Sequence, residues 1–149
     1  MSDLSILESQ ELNIADSYKA LNIAHEYRDF AFILLNSSLF FFYWIVFSDC
    51  YNLTKKYFQI NIPTSIDANK CKVLAEALNY DLFEKMVVAE YTYKNKGTVR
   101  FAQFFPKQSK TIIDKIDQLL AKHYNFTDEE QDFIINYDIK YRMGDELNE

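Results

Sequence analysis

Basic side chains gather in the C-terminal half of the chain, in a stretch without acidic residues. They are Lys94, Lys96, Arg100, Lys107 and Lys110, and an earlier basic pair is formed by Lys55 and Lys56. Lysine and arginine bind phosphates, while Tyr91, Tyr93 and Gln103 in the same stretch can reach base edges. The pattern makes DNA contact a candidate function. Composition alone favours the alternative that these residues form the solvated tip of an ordinary hairpin.

Other residue types offer little chemistry. The two histidines, His25 and His123, lie near no nucleophile in the sequence. His123 falls on the apolar stripe of a predicted helix, where we expect a partly buried, hydrogen-bonded histidine. The acidic residues from 128 to 132 are those that the start of a helix favours. Cys50 and Cys71 lack the spacing of a zinc site and indicate a reducing, cytoplasmic setting. We therefore predict no catalytic residue and no metal site.

The composition also limits the classes of function. Two isolated glycines in 149 residues exclude a P-loop and a dinucleotide-binding loop, so we predict no cofactor. The net charge of −6 and the pI near 4.9 argue against a domain that binds nucleic acid strongly by itself. A basic surface on this acidic molecule must therefore be local.

The element pattern predicts a mainly helical α+β domain. We expect about four to five helices and a small antiparallel sheet, built on a hairpin at 91–104 around the polar loop 95–97. Residues 18–24 partly alternate and are expected to add a strand to this hairpin. Residues 1–16 are predicted to form a loose N-terminal segment, 17–144 a single domain and 145–149 an acidic tail.

The uncharged run from 30 to 48 raises the question of a membrane span. The polar residues Asn36, Ser37 and Ser38 interrupt it, which disfavours a span and predicts two buried helices with Ser37 or Ser38 as an N-cap. Further helices are expected from Ser65, with Val73, Leu74 and Leu78 in its buried stripe, and from Ser109. A last helix is expected after a capping box at Thr127.

Two long stretches carry a family resemblance. LLNSSLFFFYWIVFSDCYNLTKK at 34–56 and VRFAQFFPKQSKTIIDKIDQLLAKHYNFTDEEQDFIINYDIKYRMG at 99–144 together cover nearly half of the chain. They resemble, in the same order, the C-terminal specificity region of adenine-specific DNA methyltransferases. The similarity is closest to the TaqI-like and Eco57I-like enzymes, which include type IIG restriction-modification proteins.

The resemblance implies a non-catalytic DNA target-recognition module. The glycine-rich S-adenosylmethionine loop and the Asn-Pro-Pro-Tyr catalytic loop of these enzymes lie N-terminal to the matching region, and both are missing from this sequence. Duplex DNA is then the expected partner, and catalysis, where it is retained, needs a separate methyltransferase polypeptide. The alternative is an acidic protein-interaction or regulatory domain that has lost DNA contact. Whether the chain is a fragment or an independent gene product stays open.

Overall fold

The computed structural model describes residues 21–51, 53–59, 62, 65–94, 97–137 and 139. Within these residues, five α-helices and a two-stranded antiparallel sheet form a mainly helical α+β fold, which confirms the predicted class. The helices are α1 (Arg28–Leu35), α2 (Ser38–Phe47), α3 (Ala68–Glu84), α4 (Lys110–Tyr124) and α5 (Asp128–Asn136). The strands are β1 (Val87–Tyr93) and β2 (Gly97–Gln103), and 3-10 helices lie at His25–Tyr27, Lys55–Phe58 and Pro106–Ser109.

Three helices build the hydrophobic core. Helices α1, α3 and α4 contribute its buried side chains, which are Phe30, Ile33, Leu34, Cys71, Ala75, Leu78, Ile113, Ile116, Leu119 and Leu120. The apolar residues of α4 recur every three or four positions and therefore form one stripe. Helices α2 and α5 pack beside this core, where the ring of Phe42 contacts Phe133 and Tyr137 edge-on. Removal of these apolar groups from water is the main driving force for the fold.

The predicted break between the first two helices is confirmed at Ser37. The Ser37 hydroxyl donates to the carbonyl of Leu34 at 2.6 Å and accepts from the backbone N–H of Phe40 at 3.1 Å. One side chain therefore satisfies a carbonyl at the end of α1 and caps the N-terminus of α2. The chain bends by 75° at this point.

A buried carboxylate connects the start of α2 to the middle of α4. Asp117 Oδ1 accepts a hydrogen bond from the backbone N–H of Ser38 at 2.9 Å, and Asp117 is only 4% exposed. A negative charge is favourable at a helix N-terminus, where unpaired N–H groups and the helix dipole point toward it. Asp117 is thus a second cap on α2, supplied from 79 residues further along the chain.

Two predictions of burial are wrong in part. The last turn of α2 leaves Val46 and Phe47 exposed, although the whole segment was expected to be buried. In α3, Val73 is exposed because the buried stripe runs through Cys71, Ala75 and Leu78. Val73 lies two positions from Cys71 and from Ala75, and so about 200° around the helix from the buried side.

The expected start of α3 also needs correction. The N-cap is Asp67, whose carboxylate accepts from the N–H of Lys70, and not Ser65. The carbonyl of Ser65 instead lies 2.7 Å from His123 Nδ1, while the N–H of Asp67 donates to His123 Nε2 at 3.4 Å. An imidazole with its proton on Nδ1 makes both contacts, as a donor at Nδ1 and as an acceptor at Nε2. His123 is half-buried and hydrogen-bonded, which confirms the structural role predicted for it.

The predicted hairpin is present, and its first strand is longer than expected. β1 begins at Val87, four residues before the predicted start, because seven residue pairs from Val87–Gln103 to Tyr93–Gly97 are in register. The prediction of a further strand at 18–24 is wrong for residues 21–24, which have no regular structure; residues 18–20 lie outside the described part. Leu21 and Ile23 instead line a groove against α1.

The C-terminal elements follow the sequence signals. Asn125, at φ 56°, ends α4 in the left-handed conformation, and the N–H of Phe126 then donates to the carbonyl of Ala121 at 2.9 Å. The predicted capping box of α5 is confirmed, since Thr127 and Glu130 each bind the backbone N–H of the other. The predicted loose segment 1–16 and acidic tail 145–149 lie outside the described residues.

No single helix in the described ranges is both long and apolar enough to cross a membrane. The pair formed by residues 25–35 and α2 reaches the required length and composition only when the two are taken together across their bend.

We expect Asp117→Ala to lower the free energy of unfolding by about 1–3 kcal/mol, because it leaves the Ser38 N–H buried without this acceptor. The matched control is Gln118→Ala, an exposed neighbour on the same helix, which should change stability by less than about 0.5 kcal/mol. Urea unfolding followed by circular dichroism measures both. Equal stability of the two variants would contradict the role assigned to Asp117.

Candidate nucleic-acid interface

The hairpin presents two chemically different faces, because successive side chains of a strand point to opposite sides. One face, here called the tyrosine face, consists of Val87, Ala89, Tyr91 and Tyr93 on β1 and of Val99, Phe101 and Gln103 on β2. The opposite face, the threonine face, consists of Val88, Glu90, Thr92, Thr98, Arg100 and Ala102. The sequence alone did not separate these sets.

The tyrosine face is apolar and open to solvent. Tyr91 and Tyr93 are each 53% exposed, and Val87, Val99 and Phe101 are exposed as well. The rings of Tyr91 and Phe101 stack diagonally across the strands, with centroids 5.1 Å apart and planes 14° from parallel. Gln103 lies at the far end of the same face, opposite Val87, and its carboxamide has no hydrogen-bond partner among the described residues. An open apolar surface of this kind is a candidate for contact with another molecule.

The polar groups of the threonine face are paired with one another. The Arg100 guanidinium forms an ion pair of 2.9 Å with Glu90, its direct partner across the strands. The hydroxyls of Thr92 and Thr98 lie 3.1 Å apart and share a hydrogen bond. These cross-strand pairs stabilise a two-stranded ribbon, in which each strand has only one neighbour to pair with.

Four polar residues hold the two ends of the hairpin together. Lys85, just before β1, donates from Nζ to Asp81 Oδ2 and to the carbonyl of Gln108, both at 2.7 Å. The buried Ser109 hydroxyl donates to the same carboxylate oxygen of Asp81 at 2.7 Å. The hydrogen bond from Lys85, and secondarily that from Ser109, lower the pKa of Asp81 below its usual range. We call this group of Asp81, Lys85, Gln108 and Ser109 the hairpin clamp.

The candidate basic residues do not all lie on one face of the hairpin. Lys94 follows β1 at the turn and is exposed. Arg100 lies on the threonine face, and its guanidinium forms an ion pair with Glu90. Tyr91, Tyr93 and Gln103 lie on the other face of the hairpin. Lys96, also at the turn in sequence, lies outside the described residues. The tyrosine face itself carries no charge, so direct contacts there must come from rings, methyl groups, the two tyrosine hydroxyls and a carboxamide.

Two more candidates, Lys107 and Lys110, lie away from the strands at a groove beside α2. This groove has a volume of about 580 Å³ and is lined mainly by apolar side chains, among them the aromatic residues Phe40, Trp44 and Phe104. Lys110 forms an ion pair with Asp114, one turn later on α4. Leu53 also lines the groove, and the basic pair Lys55 and Lys56 follows it closely in the chain. The Lys56 ammonium lies 4.6 Å from the centroid of the Tyr57 ring.

Several members of this site were not predicted from the sequence. Val87, Val99 and Phe101 extend the tyrosine face, and Glu90 neutralises Arg100. The alternation of residues 87–93 was the available signal, but the strand was expected to begin only at Tyr91. The pairing of Glu90 with Arg100 depends on the register, which the loop 95–97 alone did not define.

Comparisons of the chain with protein-family models, with curated proteins and with solved structures find no match. The resemblance to the specificity region of adenine-specific methyltransferases therefore rests on the two sequence stretches and stays a prediction.

The hairpin clamp should make stability depend on pH. Because its pKa is lowered on folding, Asp81 stabilises the protein at pH values above its unfolded pKa of about 3.9, and this contribution is lost as pH falls through the lower folded pKa. We expect Asp81→Asn to cost about 1 kcal/mol at pH 7, and the difference from the wild type to shrink below pH 4.

The control for this prediction is Glu84→Gln, which removes the same charge from an exposed position in the last turn of α3. Its effect on the unfolding free energy should be small at both pH values. A difference between Asp81→Asn and wild type that is the same at pH 7 and pH 3 would contradict the clamp.

Proposed function

We propose that this chain is a non-catalytic DNA-recognition module whose hairpin contacts the duplex. The observation that carries the proposal is the exposed ribbon itself: none of its described side chains is buried, and it carries Tyr91, Tyr93 and Gln103 on one face. A two-stranded ribbon is one of the two elements that fit the major groove of B-DNA. The resemblance of 34–56 and 99–144 to DNA-specificity regions agrees with this partner.

The charge distribution supports the same element. Residues 87–103 contain three basic residues and one acidic residue, a net charge of +2, whereas the whole chain carries −6. The hairpin is thus a place where the molecule approaches phosphates with little repulsion. Lys94 at the turn is suited to phosphate contact, which positions a protein on DNA without reading its sequence.

In the proposed mechanism, the chain binds DNA and does not itself catalyse methylation. The sequence lacks the glycine-rich loop and the Asn-Pro-Pro-Tyr loop with which the similar enzymes bind the methyl donor and act on adenine. In this proposal another polypeptide supplies cofactor and active site, and the present chain helps to choose the DNA site.

A second candidate function is favoured by the apolar character of the tyrosine face. Exposed Val87, Val99 and Phe101 beside two tyrosines are also typical of a protein-protein contact. In that case the chain would be an acidic interaction domain and its binding would not depend on phosphates. Salt dependence distinguishes the two functions, because only phosphate contacts release counterions.

The first test is fluorescence anisotropy of labelled duplex DNA at increasing salt. With about three phosphate contacts, log K should fall with log salt at a slope of about −2.7, since each contact contributes about −0.9. Lys94→Ala should reduce the slope by about one unit, whereas Lys72→Ala, an exposed lysine on α3, should leave it unchanged. Absence of binding at low salt, or binding indifferent to salt, would reject the proposal in favour of the interaction domain.

The second test concerns the ion pair on the threonine face. Glu90→Gln removes a negative charge from the ribbon and releases the Arg100 guanidinium, so DNA affinity at low salt should rise by about twofold to fivefold. Glu76→Gln makes the same change in net charge on α3 and serves as the matched control. If both variants bind with equal affinity, Arg100 has no part in phosphate contact.

A further inference from the structure

The tyrosine face offers a specific set of contacts, and its composition limits what it can read. Its members are aliphatic or aromatic except for Gln103, whose carboxamide places an N–H donor beside a carbonyl acceptor; the hydroxyls of Tyr91 and Tyr93 are the other hydrogen-bonding groups of the face. The single arginine of the ribbon lies on the other face, in an ion pair with Glu90. Guanine is most often read by arginine or lysine through its O6 and N7 acceptors, and such a group is missing from the tyrosine face.

A·T base pairs match this set. In the major groove, adenine shows its N7 acceptor beside its N6 donor, which a glutamine side chain binds with two hydrogen bonds, and thymine shows a methyl group that apolar side chains contact. Gln103 supplies the first group, while Val99 and Phe101 on the same strand, and Tyr91 opposite Val99, supply the second. The contacts lie side by side on one surface, as the two partners of a base pair do.

The dimensions of the ribbon agree with this role. Each strand has seven residues, which corresponds to a length of about 23 Å, and the two strands are about 4.8 Å apart. The major groove is about 12 Å wide and about 8.5 Å deep, so one face of the ribbon can meet base edges while the other stays toward the solvent. The internally paired groups of the threonine face suit the outward position.

We propose that the tyrosine face reads A·T base pairs in the major groove, an inference that rests on the proposed function. Its apolar side chains contact thymine methyl groups, and Gln103 binds the adenine edge. The face then selects DNA by the thymine methyl group, a feature that distinguishes thymine from uracil and has no counterpart on unmodified cytosine. Phosphate contacts from the turn supply affinity for DNA, and the tyrosine face supplies the preference for A·T base pairs.

The test compares duplexes that differ only in this methyl group. The full chain is titrated at low salt against two labelled duplexes of about 16 base pairs with the same A·T-rich sequence, one with thymine and one with uracil. Burial of one methyl is worth about a factor of four in affinity, so the uracil duplex should bind at least about fourfold more weakly. A G·C duplex with 5-methylcytosine should correspondingly bind more tightly than its unmethylated form.

Matched variants locate the effect on the hairpin. Val99→Thr replaces a methyl by a hydroxyl on the tyrosine face without loss of a β-branched side chain, and should reduce the preference for thymine over uracil. Thr98→Val makes the reverse change on the threonine face and should leave this preference intact. Gln103→Leu should weaken binding to the thymine and uracil duplexes alike, because adenine is present in both.

The outcomes separate this inference from the proposed function. Salt-dependent binding with equal affinity for thymine and uracil duplexes would overturn A·T reading and leave the DNA-recognition module in place. Absence of binding to every duplex would overturn both. A preference for thymine that persists in Val99→Thr, and that disappears when a minor-groove ligand occupies the duplex, would move the contact away from the tyrosine face and so overturn the inference.

Discussion

A buried hydrogen bond between the carboxyl group of Asp117 and the Ser38 N–H is the constraint on which the junction of the helices depends. Helix α2 is apolar on all sides, so amphipathicity cannot determine which way it faces. Its orientation is determined at its first turn, where Ser37 caps it locally and Asp117 binds the Ser38 N–H from α4. A polar group in a core is costly unless it is hydrogen-bonded, and the N–H group at the helix N-terminus supplies such a hydrogen bond to Asp117 Oδ1.

Among the described residues, the hairpin clamp and a ring contact next to it connect the helical core to the exposed ribbon. The hairpin clamp joins the end of α3 to the start of α4 through Asp81, Lys85 and Ser109, and the edge-to-face contact of Phe83 with Phe104 lies beside it. These contacts hold the base of the ribbon against the helices, while the side chains of the ribbon stay accessible to solvent. Such an arrangement suits recognition, because the contact surface can bind a partner without disturbing the core. The strands themselves are stabilised by the cross-strand pairs of Arg100 with Glu90 and of Thr92 with Thr98.

Much of the fold could be predicted from the sequence, whereas the composition of the site could only partly be predicted. The Asn-Ser-Ser break, the capping box at Thr127, the stripe of α4 and the hairpin all follow local rules, and the structure has each of them. The predicted site grouped Arg100 with Tyr91 and Gln103 because they are neighbours in sequence. Pairing of the strands separates them, since a residue and its direct partner share a face while the next residue lies on the other.

The sequence by itself determined the break between α1 and α2, the N-terminal caps of α2 and α5, the buried stripe of α4 and the basic stretch of an acidic chain. These features depend on residues within a few positions of one another, where backbone geometry leaves few choices. Only the tertiary structure decided that Asp117 caps α2, that Val73 is exposed, that Glu90 neutralises Arg100 and that Tyr91, Phe101 and Gln103 share one open face. The physical reason is that these relations depend on the packing direction of helices and on strand register, which are determined by contacts between residues far apart in the chain or across a turn.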